Sequence, residues 1–289
     1  MLIMDNQVAL ITGAGSGIGH ALAIGFATAG IDLVLVDLNA EHLEEVKAEC
    51  EALGRTVVAA PADVRNYEQV QEAVQAGIAA FGKIDVLVNN AGYSRMKRIE
   101  RITVEEFQAI LSINVIGVYN FAHAVAPSML EKQHGAIINT GSMAAKMPVS
   151  KLSAYAMSKA SLIGFTESLA EELKKSGITV NTIMPNSVDT PLFREGLTEE
   201  QVKMINPMKP EELVPFFLFF TTESAKKSTG WCVDVDLVRK VASMGAAEAI
   251  TSWQALEPIA KEKKISEDSL KSIRKWRALV EYLLTTPAA

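Results

Sequence analysis

Residues Thr12-Gly13-Ala14-Gly15-Ser16-Gly17-Ile18-Gly19 follow directly on an aliphatic run, Val8-Ala9-Leu10-Ile11, and open onto an apolar segment through Leu22, Ile24 and Phe26. A strand, a glycine-rich turn and a helix in that order bring backbone N–H groups and the positive end of a helix dipole to one point. That point suits a pyrophosphate. The glycines allow the tight turn, let the backbone approach the anion, and permit close packing of helix on strand. A glycine turn alone also fits a plain strand-to-helix loop, but here Asp37 closes the next aliphatic run, Leu33-Val34-Leu35-Val36, at about the 20-residue spacing of a ribose-binding carboxylate. A carboxylate there accepts hydrogen bonds from the adenosine ribose hydroxyls and repels a 2′-phosphate. No arginine or lysine occupies the glycine turn or the positions just after Asp37, so electrostatics favour NAD over NADP.

Outward from this unit, short β-branched or aliphatic runs recur at residues 56–59, 86–88, 136–138, 179–183 and 232–235. Between them lie segments of helical period. In residues 41–53, Leu43, Val46 and Cys50 share one face, and in 67–81 Val70, Val74 and Ile78 are spaced by four. The alternation predicts an α/β fold: a doubly wound, Rossmann-type, seven-stranded parallel sheet with helices on both faces, over residues 1–237. From 238 to 289 the alternation stops, and nine Lys or Arg stand against six Asp or Glu, so a helical C-terminal extension is expected there.

The whole chain has 289 residues, 49% hydrophobic and 21% charged, with a formal charge of −6. This is ordinary globular composition, and an acidic chain offers no overall field for nucleic acid or an anionic membrane. Cys50 and Cys232 cannot build a disulfide framework or a metal cluster, so no metal is expected and a cytoplasmic setting is the expectation. The amino terminus lacks the pattern of a signal peptide, and the densest apolar run found, residues 213–220, is well short of the roughly 20 residues that span a bilayer. A soluble protein with no membrane partner is therefore expected.

Further residues complete a constellation: Asp63-Val64, Asn89-Asn90-Ala91-Gly92, Asn114, Ser142, Tyr155-x-x-x-Lys159, and Pro185 with Val188 and Thr190. Taken with the glycine turn, they make residues 6–237 resemble the short-chain dehydrogenase/reductase family, of the type called classical. The resemblance implies Asn114, Ser142, Tyr155 and Lys159 as catalytic residues. It implies cofactor contacts at Gly13, Ser16, Gly17, Ile18, Gly19, Asp37, Asp63, Val64, Asn90, Ala91, Gly92, Tyr155, Lys159, Val188 and Thr190. It also implies that Lys159 binds the nicotinamide ribose, that Asn114 anchors a proton-relaying water, and that the chain forms a homodimer or homotetramer through its two long helices and its last helix and strand.

The chemistry can be argued from the residues themselves. A tyrosine, with an ordinary pKa near 10, acts as a base near neutrality only where positive charge stabilises its phenolate. Lys159 follows Tyr155 by four and so shares its helix face. Tyr155 then accepts the proton of a substrate hydroxyl as hydride leaves carbon, and Ser142 holds the same oxygen.

Two positions depart from the family pattern: Asn186 stands where glycine usually follows the proline, and Asp236-Leu237-Val238 where Asp-Gly-Gly usually closes the last strand. The positions expected to face a small-molecule substrate are Ala144, Met147, Pro148, Val149, Tyr93, Met96, Leu192 and Phe193, which are mostly apolar. Arg95, Lys97, Arg98 and Arg101 form a basic cluster that suits either a solvated loop or an anionic substrate group. The leading expectation is an NAD-dependent alcohol dehydrogenase. A 3-oxoacyl-thioester reductase ranks below it, because such enzymes generally use NADP and carry arginines where Gln133 and Ser176 stand here. A non-catalytic, redox-sensing NAD binder is the alternative from another class.

The run Phe216-Phe217-Leu218-Phe219-Phe220 must be covered by a partner subunit or by the tail. In the tail, beyond Pro258, Leu270, Ile273, Trp276, Val280 and Leu283 form a stripe, with Lys271, Arg274, Lys275 and Arg277 around it. A subunit interface is its expected docking place.

Overall fold

The computed structural model describes residues 6–243, 272 and 275–286. Seven strands, β1 (Val8–Thr12), β2 (Asp32–Val36), β3 (Val57–Ala59), β4 (Val86–Asn89), β5 (Gly135–Thr140), β6 (Ile178–Met184) and β7 (Trp231–Asp234), form one sheet. Its order is β3-β2-β1-β4-β5-β6-β7. Every pairing is parallel. β1, β4, β5 and β6 are buried along their whole length, including the polar Thr179, Asn181 and Thr182 of β6, as central strands covered on both faces are.

Helices cover both faces: α1 (Gly17–Thr28), α2 (Ala40–Ala52), α3 (Tyr67–Phe81), α4 (Val104–Leu111), α5 (Gly117–Lys132), α6 (Ser153–Leu173), the single turn α7 (Pro191–Arg194), α8 (Glu199–Ile205), α9 (Val214–Phe219), α10 (Val235–Ala242) and α11 (Arg277–Thr285). Local chemistry sets their ends. The Asn39 and Asn66 side chains accept from the first-turn N–H groups of α2 and α3, and Thr103 opens α4 with a capping box. Because the strand order reverses between β1 and β4, the turns leaving their C-terminal ends diverge and leave a crevice. The glycine turn and Asn90 border it.

Three expectations change here. Val235, read as the end of the last strand, begins α10, because Asp234 turns its side chain to accept from Leu237 N (3.0 Å) and caps a helix. That helix crosses the 237/238 position without a break and replaces the family's glycine exit. Second, one helical span among the described residues, Val104–Lys132, is long and apolar enough by composition to cross a membrane, with a mean hydropathy of 1.5. Ser112, Asn114, Asn120 and His123 interrupt its apolar run, which hides it from a reading by eye. Of these, Asn114 and Asn120 are buried and bonded within the fold, to Ser158 Oγ and Val64 O respectively, so this span packs as a core helix.

Third, the tail, expected at a subunit interface, lies against its own chain, where it is one of the two covers expected for the phenylalanine run. Phe216, Phe217, Phe219 and Phe220 are buried, and Trp276, Leu279 and Val280 of the tail belong to the same core cluster. Phe219 also meets Tyr282, their ring centres 5.6 Å apart. The tail therefore docks on its own chain, and Leu279, one position off the expected stripe, is part of the buried face. Pro258, Leu270, Lys271, Ile273 and Arg274 lie outside the described residues.

Candidate active site

The glycine turn is shaped by close approach. Gly13 holds a left-handed φ of +65°, and a Cβ there would lie 2.8 Å from Ala91 Cα. At Gly19 a Cβ would lie 1.9 Å from the Gly13 carbonyl oxygen. No side chain fits between the turn, α1 and the β4 loop. Ser16 precedes α1 without making a capping hydrogen bond, so the first-turn N–H groups are left to a ligand. Asn90 fastens this side by donating to the carbonyls of Thr12 (3.1 Å) and Gly13 (3.3 Å), and the Thr12 hydroxyl accepts from the amides of Asn90 and Ala91 (both 3.0 Å).

At the adenosine end, Asp37 Oδ2 accepts from Gly15 N and Oδ1 from Asn39 N, each at 2.9 Å. Each oxygen keeps a further lone pair, so the carboxylate is oriented and still able to accept from ribose hydroxyls. Asp63 is held by a bidentate pair with Arg65, which lowers its pKa. Val64 packs against α5 at Gly117. Thr190 lies against Gly17, and Val188 is buried behind it. The cradle thus has the glycine close approaches, free helix N–H groups and oriented carboxylate that a dinucleotide requires.

On the far side of the crevice, Ser142 leaves β5 and Tyr155 and Lys159 stand in the first two turns of α6. Ala144 N donates to Ser142 Oγ at 3.1 Å, which leaves the serine proton free to donate onward. It bonds to Tyr155, an interaction that pulls the phenol pKa down. Burial outweighs it and pushes Tyr155 up to about 12. Lys159 Nζ donates to Thr140 O at 2.7 Å and lies 5.7 Å from the centre of the Tyr155 ring. Burial brings its own pKa down to about 8. Desolvation is the larger effect on both groups, so a phenolate at Tyr155 calls for positive charge beyond that of Lys159.

Asn114 sits in a π-helical turn between α4 and α5. Its Oδ1 accepts from Tyr93 N (2.8 Å), and its Nδ2 donates to Tyr93 O and Ser158 Oγ (both 2.9 Å). Both N–H donors of the side chain are committed to protein partners, and its Oδ1 keeps one further lone pair. Ser158, which in turn donates to Tyr155 O at 2.7 Å, was missed by the sequence reading. Its place one residue before Lys159 was the available signal.

The basic cluster is largely neutralised within the chain. Arg95 pairs with Glu195 and lies 4.6 Å over the Tyr93 ring, Lys97 meets Glu106 at 2.5 Å, and Arg98 meets Glu100 at 2.7 Å. Of the apolar residues expected to face a substrate, Met96, Met147, Val149 and Leu192 are exposed.

Residues 7–201 match the family described as short chain dehydrogenase. The chain is 33% identical over 240 residues to the 3-oxoacyl-[acyl-carrier-protein] reductase of Thermotoga maritima, a match covering 81% of this chain and 97% of that one. It is also 33% identical over 231 residues to the cyclohexanol dehydrogenase of Acinetobacter, covering 78% and 92%. Among solved structures, the 3-ketoacyl-(acyl-carrier-protein) reductase from Brucella melitensis complexed with NADH superposes with a TM-score of 0.76 at 33% identity, covering 80% and 97%.

Proposed function

Since the chain belongs to the short-chain dehydrogenases, we propose that it is an NAD-dependent oxidoreductase interconverting a secondary alcohol and a ketone on a mainly apolar small substrate. The observation that carries this reading is the Ser142 hydroxyl, fed by Ala144 N and free to donate, bonded to Tyr155 above the buried Lys159. Tyr155 takes the proton from a substrate hydroxyl in oxidation and returns it in reduction, and Ser142 holds the substrate oxygen. Lys159, fixed by Thr140 O, keeps a cation beneath the phenol and reaches toward the nicotinamide ribose. NAD, when bound, supplies the hydride acceptor, and its charged ring is a further cation that favours the phenolate.

Cofactor choice rests on Asp37 and on the absence of Lys or Arg next to it in sequence. The nicotinamide side is assigned to Asn90, Ala91, Gly92, Tyr155, Lys159, Val188 and Thr190, and the pyrophosphate to Gly13, Ser16, Gly17, Ile18 and Gly19. Asp37, Asp63 and Val64 take the adenosine. Asn186, exposed just after Pro185, adds a polar group at the rim of the substrate side.

A homodimer or homotetramer is part of the proposal. Ile116 at the end of the π-helical turn before α5, Tyr119 on α5 and Met157 on α6 are exposed. Gly164, inside α6, faces open space, where an alanine would favour the helix by about 1 kcal/mol. A second copy packed closely on this face accounts for both. Light scattering at micromolar concentration tests it, and a monomer throughout refutes it.

A 3-oxoacyl-thioester reductase is the second reading, supported by the Thermotoga and Brucella relatives. The deciding experiment follows NADH absorbance with a panel of secondary alcohols, cyclohexanol included, and in reverse with ketones and a 3-oxoacyl thioester. Turnover confined to the thioester replaces the alcohol reading, and no turnover with any compound leaves a redox-sensing binder.

A further inference from the structure

We propose that Arg95 is a positioning residue, clasping a flap of residues 189–207 to the wall of the site that carries Asn114 and the catalytic tyrosine. The inference rests on the reading of Tyr155 as the proton acceptor and adds how the mouth above it is closed.

The flap is a defined unit. At its base Val188 and Met208 form a β-bridge, with Met208 N donating to Ser187 O (3.0 Å) and Asp189 N to Met208 O (2.8 Å). Within it, Arg194 holds Asp189 through two hydrogen bonds and Glu199 at 2.8 Å, and a capping box starts α8 at Thr198. Glu195, just past α7, presents its carboxylate to Arg95 across the mouth.

The Arg95 side of this pair leads inward. Its guanidinium lies 4.6 Å from the centre of the Tyr93 ring. The Tyr93 backbone is held on both its N–H and its carbonyl by Asn114, Asn114 donates to Ser158 Oγ, and Ser158 donates to the Tyr155 carbonyl. Glu195, Arg95, Tyr93, Asn114, Ser158 and Tyr155 are thus joined contact by contact from the flap to the proton acceptor. The third wall is tied in as well, since Lys97 N donates to Lys151 O at 3.0 Å. Lys97 also answers the charge of Glu106, whose carboxylate lies 3.9 Å from Arg95 Nε. Arg95 is therefore left to serve Glu195.

The test compares Arg95→Gln, Glu195→Gln and the double variant as full-length, NADH-loaded protein. Trypsin cleavage after the exposed Lys203 reports flap opening and needs no substrate. Each single change should speed that cut by about two- to fivefold, the scale of one partly exposed ion pair, and the double should cut no faster than either single. With NAD and cyclohexanol as the probe, KM should rise by a similar factor while kcat is maintained. Unchanged cleavage in the singles, or a double whose effect is the product of the two, overturns the clasp. Absence of turnover with every alcohol and ketone of the panel in the unaltered enzyme counts against the proposed function alone, because the cleavage cycle still decides the clasp.

Discussion

The Gly15 amide donates to Asp37 Oδ2 at 2.9 Å, and a Cβ on Gly15 would lie 3.0 Å from that same oxygen. The glycine turn therefore orients the carboxylate proposed to select the cofactor, beside the turn proposed to take its phosphates. Asp37→Ala should weaken NAD binding by about 1.5–3 kcal/mol, the worth of charge-assisted hydrogen bonds, and narrow the preference over NADP. Gly15→Ala should move NAD affinity in the same direction by displacing the carboxylate. Titration of both cofactors checks this, and equal affinities in the unaltered protein would remove the basis for it.

Tyr155→Phe retains the ring and loses the hydroxyl that Ser142 bonds. The fold and NAD affinity should persist while turnover falls at least ~10²-fold, the low end for general acid–base catalysis. Steady-state rates with any alcohol accepted in the panel decide it. Retention of more than a tenth of the activity would point to another base.

Much of this was legible in the sequence, for physical reasons that also explain the misses. β1 with its glycine turn, and α3 between Asn66 and Gly82, are set by near neighbours, and α3 spans the expected Tyr67–Phe81. The β7–α10 junction was misread because Val235 is apolar in either state, and the cap at Asp234 decided it. Tyr155 and Lys159 share a helix face by spacing, but the balance of their pKa shifts depends on burial that spacing does not report. The loop cations looked free because the anion for Arg95, Glu195, lies a hundred positions on.

Lys159 makes function and stability oppose each other. Burial lowers its pKa to about 8 from an ordinary 10.5, so the fold disfavours its charged form. Between those two values the unfolded chain binds more protons than the folded one, and stability gains as pH rises through the window. Below about 8 the full penalty is present. Lys159→Met should therefore be inactive yet more stable at neutral pH. The shift corresponds to on the order of 3 kcal/mol, from which the unpaired Thr140 carbonyl subtracts about 1–3 kcal/mol. Denaturant melts at several pH values should show the gain shrinking from pH 8 to 10.5; a gain that stays constant across that range would assign it to packing instead.

The tail gives the last prediction. Trp276 is 4% exposed, and with Leu279 and Val280, both 0% exposed, it packs into the cluster that holds Phe216, Phe217, Phe219 and Trp231. Lys275 adds a hydrogen bond to Gly230 O at 3.1 Å, beside the start of β7. A docked segment of this kind stabilises the sheet edge whether or not a second subunit is present. Trp276→Ala should lower stability by about 3–5 kcal/mol, the usual cost of emptying a buried aromatic site. NAD affinity of the folded fraction should stay nearly unchanged, because the residues proposed to hold the dinucleotide lie on α1, α6 and the loops after β1, β2, β3, β4 and β6, and none is on α9, β7 or α11. Val280→Asp should act in the same direction by burying a charge. Urea melts at two protein concentrations separate this from a tail that bridges subunits: intrachain docking predicts a loss independent of concentration, whereas a loss that fades as concentration rises would return the tail to the interface.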